Sequence, residues 1–336
     1  MNQTGLQFSL IVPVYNRPNE VDELLESLTQ QTKKDFEVVI VEDGSDVKSD
    51  EIVEKYKKEL DIKYFFKFNS GPGQSRNYGF ERAKGDYCIF LDSDCILPPH
   101  YFETVQNELE NNYVDAFGGP DKAHKSFTNL QKAINYSMTS FFTTGGIRGG
   151  KKKLDKFYPR SFNMGYSREV FEKTEGFSKM RFGEDIDMSI RIIENGFETR
   201  LIPEAYVYHK RRTNLRQFFK QVFNSGIARI NLYMRHRRSL KFIHFAPALF
   251  TIGIVLLLIL SIAFSAYFSA PIVLHIILLF IDSTIQNRSV TIGFLSIVTS
   301  YFQLLGYGLG FLKAFWKRII ISKEDEFSAF RKNFYK

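Results

Sequence analysis

Cysteine is scarce in this chain of 336 residues, with Cys88 and Cys95 the only two. Two cysteines, one inside an apolar run and one just past it, make no disulfide framework, which fits a reducing compartment. Acid is missing over a long stretch: from Ala205 to Lys241 there are ten Lys and Arg and no Asp or Glu. Charge of either sign then disappears from Phe242 to Ile281. A basic stretch followed by an uncharged one points to a membrane surface and then a membrane segment. It makes nucleic acid the poorer partner for a net charge of +8. No export signal is read at the N-terminus, because the apolar run Phe8 to Val14 is short and Asn16-Arg17-Pro18-Asn19-Glu20 interrupts it.

What is present is organised around Tyr87-Cys88-Ile89-Phe90-Leu91-Asp92-Ser93-Asp94. The apolar part reads as a buried strand of a parallel sheet, with two carboxylates at its carboxyl end, where open α/β sheets bind ligands. Residues i and i+2 of an extended chain share a side, so Asp92 and Asp94 are expected to face one ligand together. Two adjacent acids repel unless a cation or a hydroxyl-rich ligand lies between them, and a divalent metal on the phosphates of a nucleotide suits them. Alone, the pair reads equally well as a solvated turn.

Its neighbours along the chain decide the matter. Leu6 to Val14 reads as a first strand, followed by a helix capped by Asn19 with Val21, Leu24, Leu25 and Leu28 on one face. Phe36 to Val41 is a second strand, running into Glu42-Asp43-Gly44-Ser45-Asp46. Strand, helix, strand at this spacing starts a doubly wound sheet, which puts Asp43 near Tyr15, Asp92 and Asp94. A further strand from Ile62 to Phe68 leads to Gly71-Pro72-Gly73-Gln74-Ser75-Arg76-Asn77. A helix starting near Gly73 aims free N–H groups at an anion, while Arg76 in its first turn opposes the dipole and calls for a phosphate or carboxylate.

Further on, Ala116-Phe117-Gly118 ends a short strand and Phe127 to Phe142 reads as a helix. The glycine- and lysine-rich stretch Thr143 to Lys153 reads as a mobile loop, either a surface connection or a lid. Glu184 and Asp185 open a helix whose apolar positions are Ile186, Ile190 and Ile193; they are either caps or working acids. His209 follows an apolar strand, a setting that suits a packed residue or a ligand.

Pro13-Val14-Tyr15-Asn16, Glu42-Asp43-Gly44-Ser45, Gly71 to Asn77 and Leu91-Asp92-Ser93-Asp94, in this order, resemble the family 2 glycosyltransferases over residues 6 to 230. The resemblance implies an α/β catalytic domain of GT-A fold, a Rossmann-like doubly wound mixed sheet, followed by C-terminal membrane helices. It implies a nucleoside-diphosphate sugar donor, UDP-linked, and a divalent metal, Mn²⁺ or Mg²⁺. Asp43 would bind the base, Asp92 the ribose or the metal, Asp94 the metal, and His209 would complete the metal site. Pro13, Tyr15, Asn16, Arg17, Gly73, Arg76, Asn77 and Ser93 would line the donor pocket. Glu184 and Asp185 would stand beside a glycan or lipid-linked acceptor, with Asp185 as the general base of an inverting transfer. The Gln-x-x-Arg-Trp signature of the family's polymer synthases is missing; Gln221-Val222-Phe223-Asn224-Ser225 stands in its place, which speaks against polymer synthesis. A polyprenyl-phosphate acceptor, already ionised, and a non-catalytic nucleotide-sugar binder are the competing expectations.

Four segments are expected: a catalytic domain over 1–212, a basic amphipathic helix in the headgroup interface over 213–241, membrane helices over 242–322 and a basic cytoplasmic tail over 323–336. Leu215, Phe218, Phe219, Val222 and Phe223 form the stripe that would dip into lipid. With both ends in the cytoplasm the number of spans is even, so two are expected although three apolar segments are available. Ser296, Ser300, Gln303, Tyr307 and Gly310 give the third segment a small or polar side. The expected location is the cell (inner) membrane, with the catalytic domain on the cytoplasmic face.

Overall fold

The computed structural model describes residues 5–122, 124, 126–145, 157–180, 182–210 and 212–321. Most of the loop expected from Thr143 to Lys153, and all of the tail expected over 323–336, lie outside the described residues.

In chain order the first elements are β1 (Phe8–Val14), α1 (Pro18–Thr29), β2 (Phe36–Asp43), α2 (Asp50–Tyr56), β3 (Asp61–Lys67), α3 (Pro72–Arg82) and β4 (Tyr87–Leu91). Then come β5 (Cys95–Ile96), α4 (Tyr101–Asn111), β6 (Ala116–Gly118), β7 (Asp121–Lys122), α5 (Asn129–Thr139) and α6 (Phe141–Thr144). The chain continues through β8 (Asn163–Ser167), α7 (Arg168–Thr174), α8 (Glu184–Glu194), β9 (Thr199–Leu201) and β10 (Val207–His209). It closes with α9 (Leu215–Arg235), α10 (Ala246–Ala263), α11 (Ala270–Asn287) and α12 (Val290–Phe315). The chain divides into two compact units, one holding all the strands with α1 to α4, α7 and α8, the other holding α5, α6 and α9 to α12.

In the first unit the main sheet has seven strands in the order β3-β2-β1-β4-β8-β6-β9. The four strands β3, β2, β1 and β4 are parallel, and β8 runs antiparallel between β4 and β6. The sheet is therefore mixed. Its alternating side chains build two cores. On one face Leu10, Val12 and Val14 meet Val21, Leu24, Leu25 and Leu28 of α1 and Phe102, Val105 and Leu109 of α4. On the other, Ile11 and Phe90 meet Phe80 of α3 and Met188 and Ile192 of α8. Each fully buried side chain of this size contributes about 1.5–3 kcal/mol, so the apolar face of α1 is enough to fasten it. The cap expected at Asn19 is corrected: α1 starts at Pro18, with Arg17 in the cap position and no side-chain cap. Proline at the first helical position removes one of the unpaired N–H groups of a helix start and has a preset φ.

A second sheet of three strands, β5-β10-β7, sits where the chain leaves β4. β10 pairs antiparallel with β5 and parallel with β7, setting His209 opposite Cys95.

The second unit is built around α12. Ser283 of α11 donates to Ser296 at 2.7 Å, and Thr299 donates to the carbonyl of Ala133 in α5 at 3.0 Å. Glycines let α9 touch α12: a Cβ on Gly310 would fall 2.0 Å from the Phe223 carbonyl oxygen, and one on Gly226 would fall 2.2 Å from that of Tyr307. Small residues at such contacts allow the close backbone approach typical of membrane helix pairs.

This packing groups the segments differently from the order in which they follow along the chain. The catalytic domain expected over 1–212 is interrupted, because α5 and α6 belong with the C-terminal helices. Part of the stripe of α9 is covered by protein: Phe218 and Val222 are buried with Ile134 and Met138 of α5, and Phe302 of α12 packs on them. The small side of α12 gives that stripe a protein partner. Three helices among the described residues are long and apolar enough to cross a membrane: Phe242–Ala263, Ala266–Asn287 and Val290–Ile320, of mean hydropathy 2.6, 1.9 and 1.4. That is one more than the even count expected.

Candidate active site

Site residues gather at the carboxyl ends of β1, β2 and β4 and at the first turn of α8. The two acids after β4 do not sit on an extended chain as expected. Cys95 N–H donates to the Asp92 carbonyl at 3.1 Å, so Asp92 to Cys95 is a tight turn. The turn sends the carboxylates to different partners and still leaves both beside one imidazole. His209 Nε2 lies 3.0 Å from Asp94 Oδ1 and 3.8 Å from Asp92 Oδ2. Arg17, from the loop after β1, forms an ion pair with Asp94 Oδ2. Burial pushes the Asp94 carboxyl up, but His209 and Arg17 outweigh it and hold the group well below the usual carboxylate range.

Arg76 explains its own place in the first turn of α3. Its side chain is 3% exposed, donating to Asp92 Oδ1 at 2.6 Å and to Glu184 Oε1 at 3.2 Å, with the guanidinium over the Phe177 ring. The partner it needed is a pair of carboxylates from the chain itself. A Cβ on Gly73 would come within 3.2 Å of Phe177 Cβ and 3.4 Å of Glu184 Cγ, so the start of α3 is packed directly on the start of α8.

The α8 acids are both buried, and their surroundings push their acidities in opposite directions. Gly183, at φ +85°, takes the cap position, which a residue with a Cβ adopts only under strain. Glu184 and Asp185 therefore lie inside the first turn rather than capping it. Asp185 accepts from Arg160 Nε at 2.5 Å and from Ile186 N–H at 2.8 Å. Burial would raise its pKa, but Arg160 outweighs burial and lowers it. Glu184 is pushed up to about 7, by burial and then by the charge of Asp185, with Arg76 opposing in part. One acid is thus held ionised beside another poised near neutrality.

Asp43, at the end of β2, accepts from Ser70 N–H at 2.9 Å and Gly71 N–H at 2.8 Å and forms an ion pair with Lys67. It shapes the loop that leads into α3. Asn16, at φ +52°, uses its side-chain oxygen on the N–H groups of Asp46 and Val47 at 2.8 and 3.0 Å. Asn77 spends both ends of its carboxamide on the backbone of Phe177, at 2.8 Å each. These two side chains tie loops together. Tyr15 is half exposed at the rim, Pro13 is partly buried beside it, and Ser93 is buried inside the turn.

Residues that sequence reasoning did not place are Lys67, Cys95, Arg160 and Phe162. Asp94, Cys95 and His209 each offer a ligand atom, and all three atoms lie within 4.8 Å of one another. The residues fit a divalent metal by one further observation: the buried Asp94 Oδ1 and His209 Nε2 lie 3.0 Å apart, close enough for both to bind one ion. A cation between the two atoms satisfies both.

Comparisons with known proteins bear on the family and the fold. The profile of Glycosyl transferase family 2 matches residues 9–174. An uncharacterized glycosyltransferase of Haemophilus influenzae is 44% identical over 225 residues, covering 62% of this chain and 70% of that protein. Other curated relatives are longer: the chain spans 22% and 34% of two uncharacterized glycosyltransferases of Rickettsia felis and Rickettsia bellii. Among solved structures, the mannosyltransferase PcManGT of Pyrobaculum calidifontis, in complex with GDP-Man and Mn²⁺, aligns with a TM-score of 0.66 at 16% identity, covering 94% of this chain and 88% of that one. TarS 1–349 of S. aureus in complex with UDP-GlcNAc aligns with a TM-score of 0.50 at 19% identity, covering 89% and 90%. The mixed sheet is that of the GT-A fold.

Proposed function

The chain belongs to glycosyl transferase family 2, and from that premise we propose a membrane-anchored, metal-dependent, inverting enzyme. It moves a sugar from a UDP-linked donor onto a hydroxyl of a glycan or lipid-linked acceptor. The helices α10 to α12 hold it in the cell (inner) membrane, with the catalytic unit on the cytoplasmic side. The observation that carries this is the unbroken chain of contacts from Asp94 through His209 and Asp92 to Arg76, and from Arg76 to Glu184. It ties a metal-binding set on the donor side to a pair of acids on the acceptor side.

Asp94 and His209, with Asp92, would hold Mn²⁺ or Mg²⁺. When bound, such an ion neutralises the charge that develops on the departing diphosphate. Arg17 is the cation beside this set that the diphosphate would meet, and Tyr15, Pro13 and Asp43 would lie on the side of the base. Asp185 takes the proton of the acceptor hydroxyl, which has too high a pKa to attack while protonated. Arg160 keeps Asp185 ionised for that task. One base and no protein nucleophile make a single displacement, hence inversion. The structures this chain resembles hold GDP-Man in one case and UDP-GlcNAc in the other, so the UDP donor is the part of this reading that the test below decides.

The test is calorimetry of the purified protein in detergent with Mn²⁺ against a panel of UDP- and GDP-sugars, with release of the nucleotide followed in parallel. A UDP-sugar should bind and be slowly hydrolysed. Binding restricted to GDP-sugars would overturn the donor, and no binding of either kind would overturn the enzyme.

A further inference from the structure

Cys95 is placed to be more than a core residue. In the antiparallel pairing of β5 with β10 it stands directly opposite His209. Side chains of such opposite residues leave the sheet on the same side with Cβ atoms about 4.5–5.5 Å apart. The turn that starts at Asp92 then delivers the Asp94 carboxylate to the same spot. Among the described residues this is the one group of three metal-ligating side chains whose donor atoms converge, a carboxylate oxygen, a sulfur and an imidazole nitrogen within 4.8 Å. Phe162 walls the group: its ring stacks on His209 at 5.0 Å, and its carbonyl accepts a long contact from the Cys95 thiol at 3.5 Å. That weak bond is the thiol's hydrogen-bonding tie, so a stronger partner for sulfur can replace it.

Donor type decides which ions prefer such a set. Carboxylate and water suit Mg²⁺ and Mn²⁺, whereas a thiolate with an imidazole and a carboxylate is a ligand set of Zn²⁺ and its softer congener Cd²⁺. Bond lengths of about 2.0–2.3 Å to O, N and S place tetrahedral ligands about 3.3–3.8 Å apart; the Asp94–His209 pair at 3.0 Å then opens slightly and any pair near the 4.8 Å limit closes, both by side-chain rotation.

We propose that Cys95 turns this corner of the active site into a binding site for thiophilic divalent cations, Zn²⁺ or Cd²⁺, held by Asp94, His209 and Cys95. On binding, the S–H bond is lost to solvent as a proton and a metal–sulfur bond takes its place, with no change in oxidation state. Because Asp94 and His209 are shared, the soft ion excludes the Mg²⁺ or Mn²⁺ that serves transfer, and the enzyme is inhibited by zinc. The inference rests on the metal site proposed above and adds a ligand to it.

The experiment uses the full chain in detergent, stripped with chelator and without donor. ZnCl₂, CdCl₂ and MnCl₂ are titrated by calorimetry into the wild type, Cys95→Ser and Cys95→Ala, and the ultraviolet sulfur-to-cadmium charge-transfer band is followed. The wild type should develop that band to one equivalent, and both variants should lack it. Zn²⁺ and Cd²⁺ affinities should fall roughly tenfold or more in the variants, the least expected from loss of a direct ligand, while Mn²⁺ affinity stays within a few-fold. Alanine keeps the position apolar if the serine hydroxyl disturbs the core. Equal Zn²⁺ and Cd²⁺ binding by all three proteins, with Mn²⁺ still bound, would overturn the role of Cys95 alone. Failure of the wild type to bind any of the three ions would overturn the metal site with it.

Discussion

Replacing each of the two adjacent acids of α8 should have opposite consequences. Glu184 is 8% exposed, and its pKa is raised from the ordinary 4.5 to about 7 by burial and by Asp185. Holding an ionised carboxylate in such a place costs the folded protein roughly 3 kcal/mol. Below pH 4.5 both folded and unfolded chains carry the proton and the cost vanishes. Between 4.5 and 7 the unfolded chain releases its proton first, so stability falls as pH rises, and above 7 the full cost is in force. Glutamine mimics the protonated form and still accepts from Arg76. Glu184→Gln should therefore raise the unfolding midpoint at pH 8 by roughly 6–12 °C, at about 2–4 °C per kcal/mol for a domain of this size, and leave it unchanged near pH 4.5. Asp185 is held ionised by Arg160, so Asp185→Asn should leave donor affinity intact and reduce transfer about 10²- to 10⁴-fold, the usual contribution of a positioned base. Differential scanning fluorimetry in chelator, calorimetry with donor and a transfer assay across pH 5–9 separate the two. If Glu184→Gln instead abolishes transfer together with an activity limb near pH 7, Glu184 is the base and Asp185 supports it.

Asp94→Ala should abolish Mn²⁺-dependent donor binding, read by calorimetry; a variant that binds and turns over donor in chelator would refute a metal at this site. Arg76→Gln leaves Asp92 and Glu184 without their buried cation, and breaking such a pair costs about 3–5 kcal/mol. The loss in unfolding midpoint should be larger at pH 8 than near pH 4.5, where Glu184 is protonated, and an equal loss at both would remove Glu184 from the network. Truncation after Lys241 should not give a well-behaved catalytic domain, because removing α12 uncovers Phe218, Val222 and Ile230 of α9, roughly 5–9 kcal/mol of lost burial. Size-exclusion chromatography without detergent should show aggregation, and a monodisperse monomer would mean that α9 does not depend on α12.

The sheet was legible because its signals are local. The apolar run Val38 to Val41 of β2 and the helical spacing of Val21, Leu24, Leu25 and Leu28 each fit within one element, and all of these residues are buried. Acids at strand ends were equally readable, since Asp43, Asp92 and Asp94 directly follow or end buried strands. Their partners were not, for a physical reason. An ion pair such as Arg160 with Asp185 spans 25 positions, Arg76 with Glu184 spans 108, and no periodicity links them. A dipole argument could say that Arg76 needed an anion, but not that the anion was the chain's own. Burial of α9 was missed for a related reason. A basic helix with an apolar stripe satisfies lipid and protein alike, and the deciding partner is a run of small residues about 85 positions later, at Gly306 and Gly310. Those glycines fix more than an anchor. Since α5, from the middle of the catalytic sequence, shares the same helix partner through Thr299 and Ala133, the membrane part cannot be read as an appendage to a finished domain. The stretch that carries α5 and α6, between two strands of the first unit, folds as part of the second.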